Sequence, residues 1–145
     1  MTAVIAHSLT SLGAPYVVRQ AAAFIAEPPE ATSRAIEAAV LALLEALAVA
    51  VSEARVLTAL HALATDPAND GALLDNVAAT FTMQNSEMPM MRLGSALIDL
   101  VFGADLPIVV RAVADRSGIR LVSAEALLRS IAPLALCAIG RQLRA

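Results

Sequence analysis

Between Ile36 and Val51 only Glu37 and Glu45 interrupt a run of alanine, leucine, valine and isoleucine. Within it Ile36, Val40, Leu43, Leu44 and Leu47 recur at α-helical spacing, and Ala38, Ala39, Ala42 and Ala46 fill much of the remaining circumference. A helix that is apolar nearly all round must be covered by other helices or by lipid. A membrane span needs about 20 strongly apolar residues without a central charge, which an alanine-dominated stretch holding two carboxylates does not provide. The run therefore predicts the buried central helix of an all-α bundle, with no transmembrane segment.

Prolines and glycines delimit the other helices. A short first helix, capped by Thr2, runs to about Leu12, with Gly13 as its left-handed stop. Pro15 opens a second helix whose apolar side carries Val17, Val18, Ala21, Phe24 and Ile25, and Pro28-Pro29 ends it. Pro29 in turn suits the first position of the long helix, about Glu30 to Val51. Ser52-Glu53 begins a fourth, with Val56, Leu57, Leu60 and Leu63 in a stripe ending near Thr65. Turn formers fill Asp66-Pro67-Ala68-Asn69-Asp70-Gly71, a short helix from Ala72 to Thr80 follows, and Gln84 to Glu87 is polar and weakly patterned. Further helices run from Pro89 toward Gly103, from Pro107 to Ser117 before Gly118, and from Ser123, as N-cap with Glu125 near the positive dipole end, to the C-terminus. Pro133 lies inside the last one and predicts a kink, since it lacks an N–H and meets the Arg129 carbonyl.

The chain is expected to be one all-α domain of about seven or eight helices. At 145 residues it is large enough to bury roughly 68–70% of its unfolded surface without metal or disulfide. Aromatic residues make up only 3%, so the helices must pack closely on small side chains. Pro15-Tyr-Val-Val-Arg19 and Pro107-Ile-Val-Val-Arg111 each precede a long Ala/Leu helix, and one constant offset also aligns Leu44 with Leu136 and Leu47 with Ile139. This reads as two pseudo-repeated helix pairs, in units of about 1–51 and 89–145 joined by 52–88. Arg19 and Arg111 then belong to a packing unit rather than to a ligand site.

The ten basic residues are all arginine and scattered, against 13 acidic ones, and the net charge of −3 excludes a nucleic-acid footprint. No positive region precedes the apolar N-terminal residues, so no secretory signal is read there and a cytoplasmic location is the simplest expectation. Phosphate loops, His-Glu-x-x-His pairs and nucleophile elbows are missing from the sequence. His7 and His61 fall on separate helices, which suits surface or core positions better than a metal site. Cys137, the single cysteine, has apolar neighbours and no activating base, so it reads as a small core residue. Asp66, Asp70 and Asp75 crowd one turn without calcium-loop spacing. Glu37 and Glu45, two helical turns apart, read as a narrow solvated edge rather than a pair of carboxylates in a pocket. No cofactor and no enzymatic activity are expected.

Met83, Met88, Met90 and Met91 are the most distinctive local composition. Methionine is flexible and polarizable, so the cluster is a candidate interaction surface as well as ordinary core filling. The leading expectation is a structural or protein-interaction module, a homo-oligomer or partner-binding chain that associates through an Ala/Leu-rich or Met-rich helical face. The alternative is a carrier holding an apolar small molecule or acyl chain between its helices.

Leu100-Val101-Phe102-Gly103, Val109 to Gly118, Ala126-Leu127-Leu128, Ile131-Ala132-Pro133-Leu134 and Gly140-Arg141-Gln142 together resemble the bacterial YidB family of domains of unknown function. Asp70 to Asn76 is similar to that family's mid-domain turn, and Pro29 to Leu47 to its first long helix. Leu41 stands where the family often has proline, and the Met-rich segment differs from the usual glycine-rich linker. The resemblance implies an all-helical bundle from a bacterium, and for part of the family a connection to the cell envelope. It brings no catalytic residues. Phe102, Gly103 and Pro133 enter as structural motif residues beside Pro15, Arg19, Pro107 and Arg111.

Overall fold

Residues 2–81 and 89–144 are described by the computed structural model of the chain, and they form an all-α fold. Seven α-helices follow one another: α1 (Thr2–Ser8), α2 (Pro15–Ile25), α3 (Pro29–Ala50), α4 (Ala54–Ala64), α5 (Pro89–Val101), α6 (Leu106–Ser117) and α7 (Leu121–Arg144). Short 3-10 turns at Thr10–Gly13, Ala72–Asp75, Val77–Phe81 and Gly103–Asp105 lie between them. The breakers act where the sequence puts them. Pro15 is in the first turn of α2, left-handed Ala26 (φ 56°) ends that helix ahead of Pro28, and left-handed Gly118 (φ 82°) ends α6.

Several local expectations are corrected. Gly13 closes a 3-10 turn without a left-handed conformation, because Ala14, preceding proline, is already extended (φ −62°, ψ 136°). The segment expected to be a helix from Ala72 to Thr80 is two 3-10 turns, broken at Asn76 (φ −147°, ψ 77°). Ser123 is not an N-cap. Helix α7 starts at Leu121, and the Ser123 hydroxyl turns outward to Glu27 and the Ile25 carbonyl.

The largest correction concerns the centre of the bundle, which is α7 and not α3. Helix α7 touches each of the other six helices, and every residue from Ile131 to Gly140 is buried. Its most extensive neighbour is α5, where Gly94 lies flat against the Pro133 ring: a Cβ at Gly94 would stand 2.5 Å from Pro133 Cγ. The helix runs unbroken on both sides of Pro133. By length and composition α7 could cross a membrane, yet 78% of its apolar window is buried inside the protein, the condition of a core helix. Helix α3 is one-sided, burying Ala35, Ile36, Ala39, Leu43 and Leu47 while Leu41, Glu45 and Val49 face outward.

The two paired segments share helix-opening prolines and a buried second valine, Val18 and Val110. Their surroundings differ, since Leu44 is partly exposed where Leu136 is fully buried. Duplication is not established by this arrangement.

Candidate interaction surface

Helices α3 and α6 pack side by side in opposite directions. Arg34 on α3 donates from Nη2 to the Ser117 carbonyl at the end of α6 (3.2 Å), whereas Val49 at the far end of α3 shares a groove with Ile108 at the start of α6. Alanines let the two helices sit close, and their outer ridges stand free. On α3 these are Leu41, Glu45 and Val49, spaced by four residues; on α6 they are Ile108, Ala112 and Arg116, spaced likewise. Between the ridges, Ala42, Ala46 and Val109 line a groove of about 640 Å³.

Ile108 also borders a second groove of about 470 Å³, formed with Pro107, Arg111, Leu121, Val122 and Glu125. Through these shared walls the exposed apolar side chains become one surface. Val49 is 73% exposed, Ile108 69% and Val122 67%, with Leu41 and Leu121 nearly half exposed. Burying one such side chain contributes about 1.5–3 kcal/mol, and here several adjacent ones forgo it. Single exposed apolar residues are ordinary, but a contiguous set rimmed by charge marks a contact face. At the ends of the α3/α6 groove the rim consists of Glu53, Asp105 and Arg55 where α3 ends and α6 begins, and of Arg34, Glu37 and Arg116 at the opposite end. Among the described residues, none of these six forms an ion pair.

Of the methionines, Met90 and Met91 lie in the first turn of α5, both partly buried, and Met90 packs against the core. Met83 and Met88 fall outside the described residues. Pro15 and Pro107 open their helices, and Arg19 and Arg111 are both exposed. Phe102 is buried, Gly103 takes a positive φ (54°) at the corner after α5, and Pro133 is locked against Gly94. Arg111 therefore enters the surface as a rim charge, whereas Arg19 lines neither groove. Sequence reasoning missed Val49, Ile108, Leu121 and Val122. For Ile108 a signal existed: it lies on the side of α6 away from Val110, Val113 and Ala114, which are buried.

Two polar clusters fasten the bundle. In the first, the turn over residues 66–75 straps the end of α7. Buried Asn69 donates from Nδ2 to the carbonyls of Ala64 and Leu136, both at 2.8 Å, and Arg141 donates to the Gly71 carbonyl (3.0 Å) and Asp75 (2.8 Å). The strap covers Cys137, whose thiol is pushed up to about 11 by burial. In the second, Glu27 receives a hydrogen bond from Ser123 (2.6 Å) and from Arg120 Nε (2.9 Å) and backbone N (3.1 Å), which hold its carboxyl down at about 2. Arg120 is largely exposed, and this cluster ties the end of α2 to the start of α7.

In both clusters the polar side chains are engaged in hydrogen bonds that join parts of the fold. Asp66 and Asp70 accept hydrogen bonds from the backbone of Ala68 and Ala72, ordinary turn closures. His7 and His61 are exposed on α1 and α4, and among the described residues no three His, Cys, Asp or Glu side chains gather in metal-binding geometry. Glu37 and Glu45 are both exposed on α3, as a solvated edge would be, but with apolar Leu41 between them.

The segments that resemble the YidB family meet in this architecture: the Asp70 to Asn76 turn is held by Gly140-Arg141, and the Pro133 helix lies against α5. No curated protein and no solved structure matches the chain. A family model matches residues 8–142, and the chain belongs to that family, bacterial proteins of unknown function (DUF937), of which YidB is also a member.

Proposed function

We propose that this chain is a non-enzymatic structural module that associates with protein, foremost with itself, through the outer faces of α3, α6 and the start of α7. The observation that carries this reading is the set of exposed Val49, Ile108, Leu121 and Val122 around two grooves, with exposed Leu41 farther along the α3 ridge. Helix ridges of a partner fit the alanine-floored groove between α3 and α6, and the surrounding charges set orientation. The carrier alternative would use the same grooves as ligand seats. Their openness to solvent favours a broad macromolecular partner over a small apolar ligand, which binds best when mostly enclosed.

Light scattering over a concentration series tests the proposal. The wild-type chain is expected to rise above monomer mass, and Ile108→Asp to remain monomeric with unchanged helical circular dichroism. A wild-type chain that stays monomeric throughout overturns self-association, and an Ile108→Asp variant that still associates overturns the choice of face.

A further inference from the structure

We infer that the occupant of the α3/α6 groove is a second copy of this chain, docked antiparallel about a two-fold axis near Glu45. The inference rests on the self-association reading above and adds the orientation of the two copies. It comes from the distribution of charge along the groove. At one end stand Glu53 and Asp105 with Arg55, net negative; at the other stand Arg34 and Arg116 with Glu37, net positive. All six are exposed and, among the described residues, without an ion-pair partner in their own chain.

From Asp105 to Arg116 helix α6 advances about 16 Å, beyond the screening length at physiological salt, so the two ends act as separate fields. A two-fold axis lying in the contact plane and running across the length of the groove sets the acidic end of one copy on the basic end of the other, and does so twice. Parallel docking would instead oppose acid with acid and Arg116 with Arg116, which like-charge repulsion disfavours. The apolar ridges then meet at the centre. Ile108 and Val49 of each copy lie beside the partner's alanine-lined floor, where the small side chains leave room for a facing helix.

One residue opposes this arrangement and makes it testable. Glu45 projects from the middle of the α3 ridge and lines both the main groove and the narrow one beside Arg116, so the axis brings it toward its own copy. Removing that charge should tighten the dimer.

Sedimentation equilibrium on the full chain and four variants gives the test, with circular dichroism to verify folding. Arg116→Glu is expected to weaken self-association about ten-fold, and Glu53→Arg with Asp105→Arg to do the same, because each change is met twice in the dimer. Mixing those two variants should restore a heterodimer close to wild-type affinity. Glu45→Gln should strengthen association several-fold. If association is indifferent to the charge reversals, or the mixture fails to rescue, the antiparallel two-fold is wrong while self-association through this face survives as long as Ile108→Asp dissociates it. If the wild-type chain is monomeric, the interaction reading itself falls.

Discussion

Gly94 of α5 and Pro133 of α7 share a contact too tight for a Cβ at position 94 unless the helices shift: a Cβ there would lie 2.5 Å from Pro133 Cγ, 2.6 Å from Cδ and 3.0 Å from the backbone nitrogen. Both residues are buried. The gap left by a missing Cβ is filled by the ring, which itself stands where α7 lacks a backbone N–H. Two residues that weaken helices separately are in this way made compatible by fitting each other.

Gly94→Ala is expected to destabilise the protein by about 1–3 kcal/mol, since overpacking a buried helix contact outweighs the improved helix propensity of alanine. The cost should shrink in a Pro133→Ala background, where Cγ and Cδ are gone. A double-mutant cycle by urea unfolding measures the coupling, and additive effects would show that the contact is not what constrains position 94.

Asn69 is fully buried and serves both the Ala64 and Leu136 carbonyls, in space that exists because Gly140 has no side chain. A Cβ at Gly140 would fall 2.7 Å from Asn69 Nδ2 and 2.8 Å from the Ala64 carbonyl. Asn69→Ala is expected to cost about 1–3 kcal/mol through the two deprived carbonyls. Asn69→Asp should cost more at neutral pH, because it exchanges the two donors for a buried charge facing carbonyl oxygens. Chemical denaturation midpoints at pH 7 compare the two.

The Glu27 carboxyl is held at about 2, against its ordinary 4.5, first by the Ser123 hydroxyl and then by Arg120. The unfolded chain thus takes up this proton more readily than the folded one. The stabilisation is fully present above pH 4.5 and is lost as pH falls from there toward 2. Thermal melts between pH 6 and 2 should show a falling midpoint, with a shallower fall in Glu27→Gln. Ser123→Ala should lower stability by about 1.5–3 kcal/mol at pH 7, the range for a hydrogen bond to a charged group.

Cys137 lies under the strap formed by the 66–75 turn, with its thiol raised to about 11 by burial. Little thiolate exists at pH 7, and labelling by an aromatic disulfide is expected to be slow and limited by local opening. Arg141→Ala removes the strap's bonds to Gly71 and Asp75 and should speed labelling several-fold, with a smaller change in global stability. Equal labelling rates in both proteins would show that the strap does not gate this thiol.

Much of the helix layout was legible because it depends on local rules. Pro15, Pro29 and Pro107 fall in helix first turns, and Gly118 ends α6 in a left-handed conformation, since ring closure and the missing Cβ act wherever those residues occur. Ser123 misled for the opposite reason. Its local context suits an N-cap, but the carboxylate of Glu27, distant in sequence, claims its hydroxyl. The 72–80 segment misled similarly, because Arg141 grips both Gly71 and Asp75 and the turn follows that grip rather than helix propensity. Of the candidate surface, the sequence suggests only an Ala/Leu-rich or Met-rich helical face, and Ile108 and Val122 come together only through packing.

By itself the sequence determined an all-α chain with helix boundaries set by proline and glycine, a core of small apolar residues, and a likeness to one bacterial family. Only the tertiary structure decided which apolar helix lies at the centre. Helix α3 is apolar at nearly every position after Ile36 apart from Glu37 and Glu45, yet its Leu41 and Val49 face outward, while α7, marked by Pro133 and Gly140, is enclosed on all sides between Ile131 and Gly140. Periodicity records that a face is apolar; whether that face meets the chain's own core or a partner depends on which neighbours reach it. Helices that can approach closely win the centre, and the Gly94/Pro133 and Asn69/Gly140 contacts give that approach to α7.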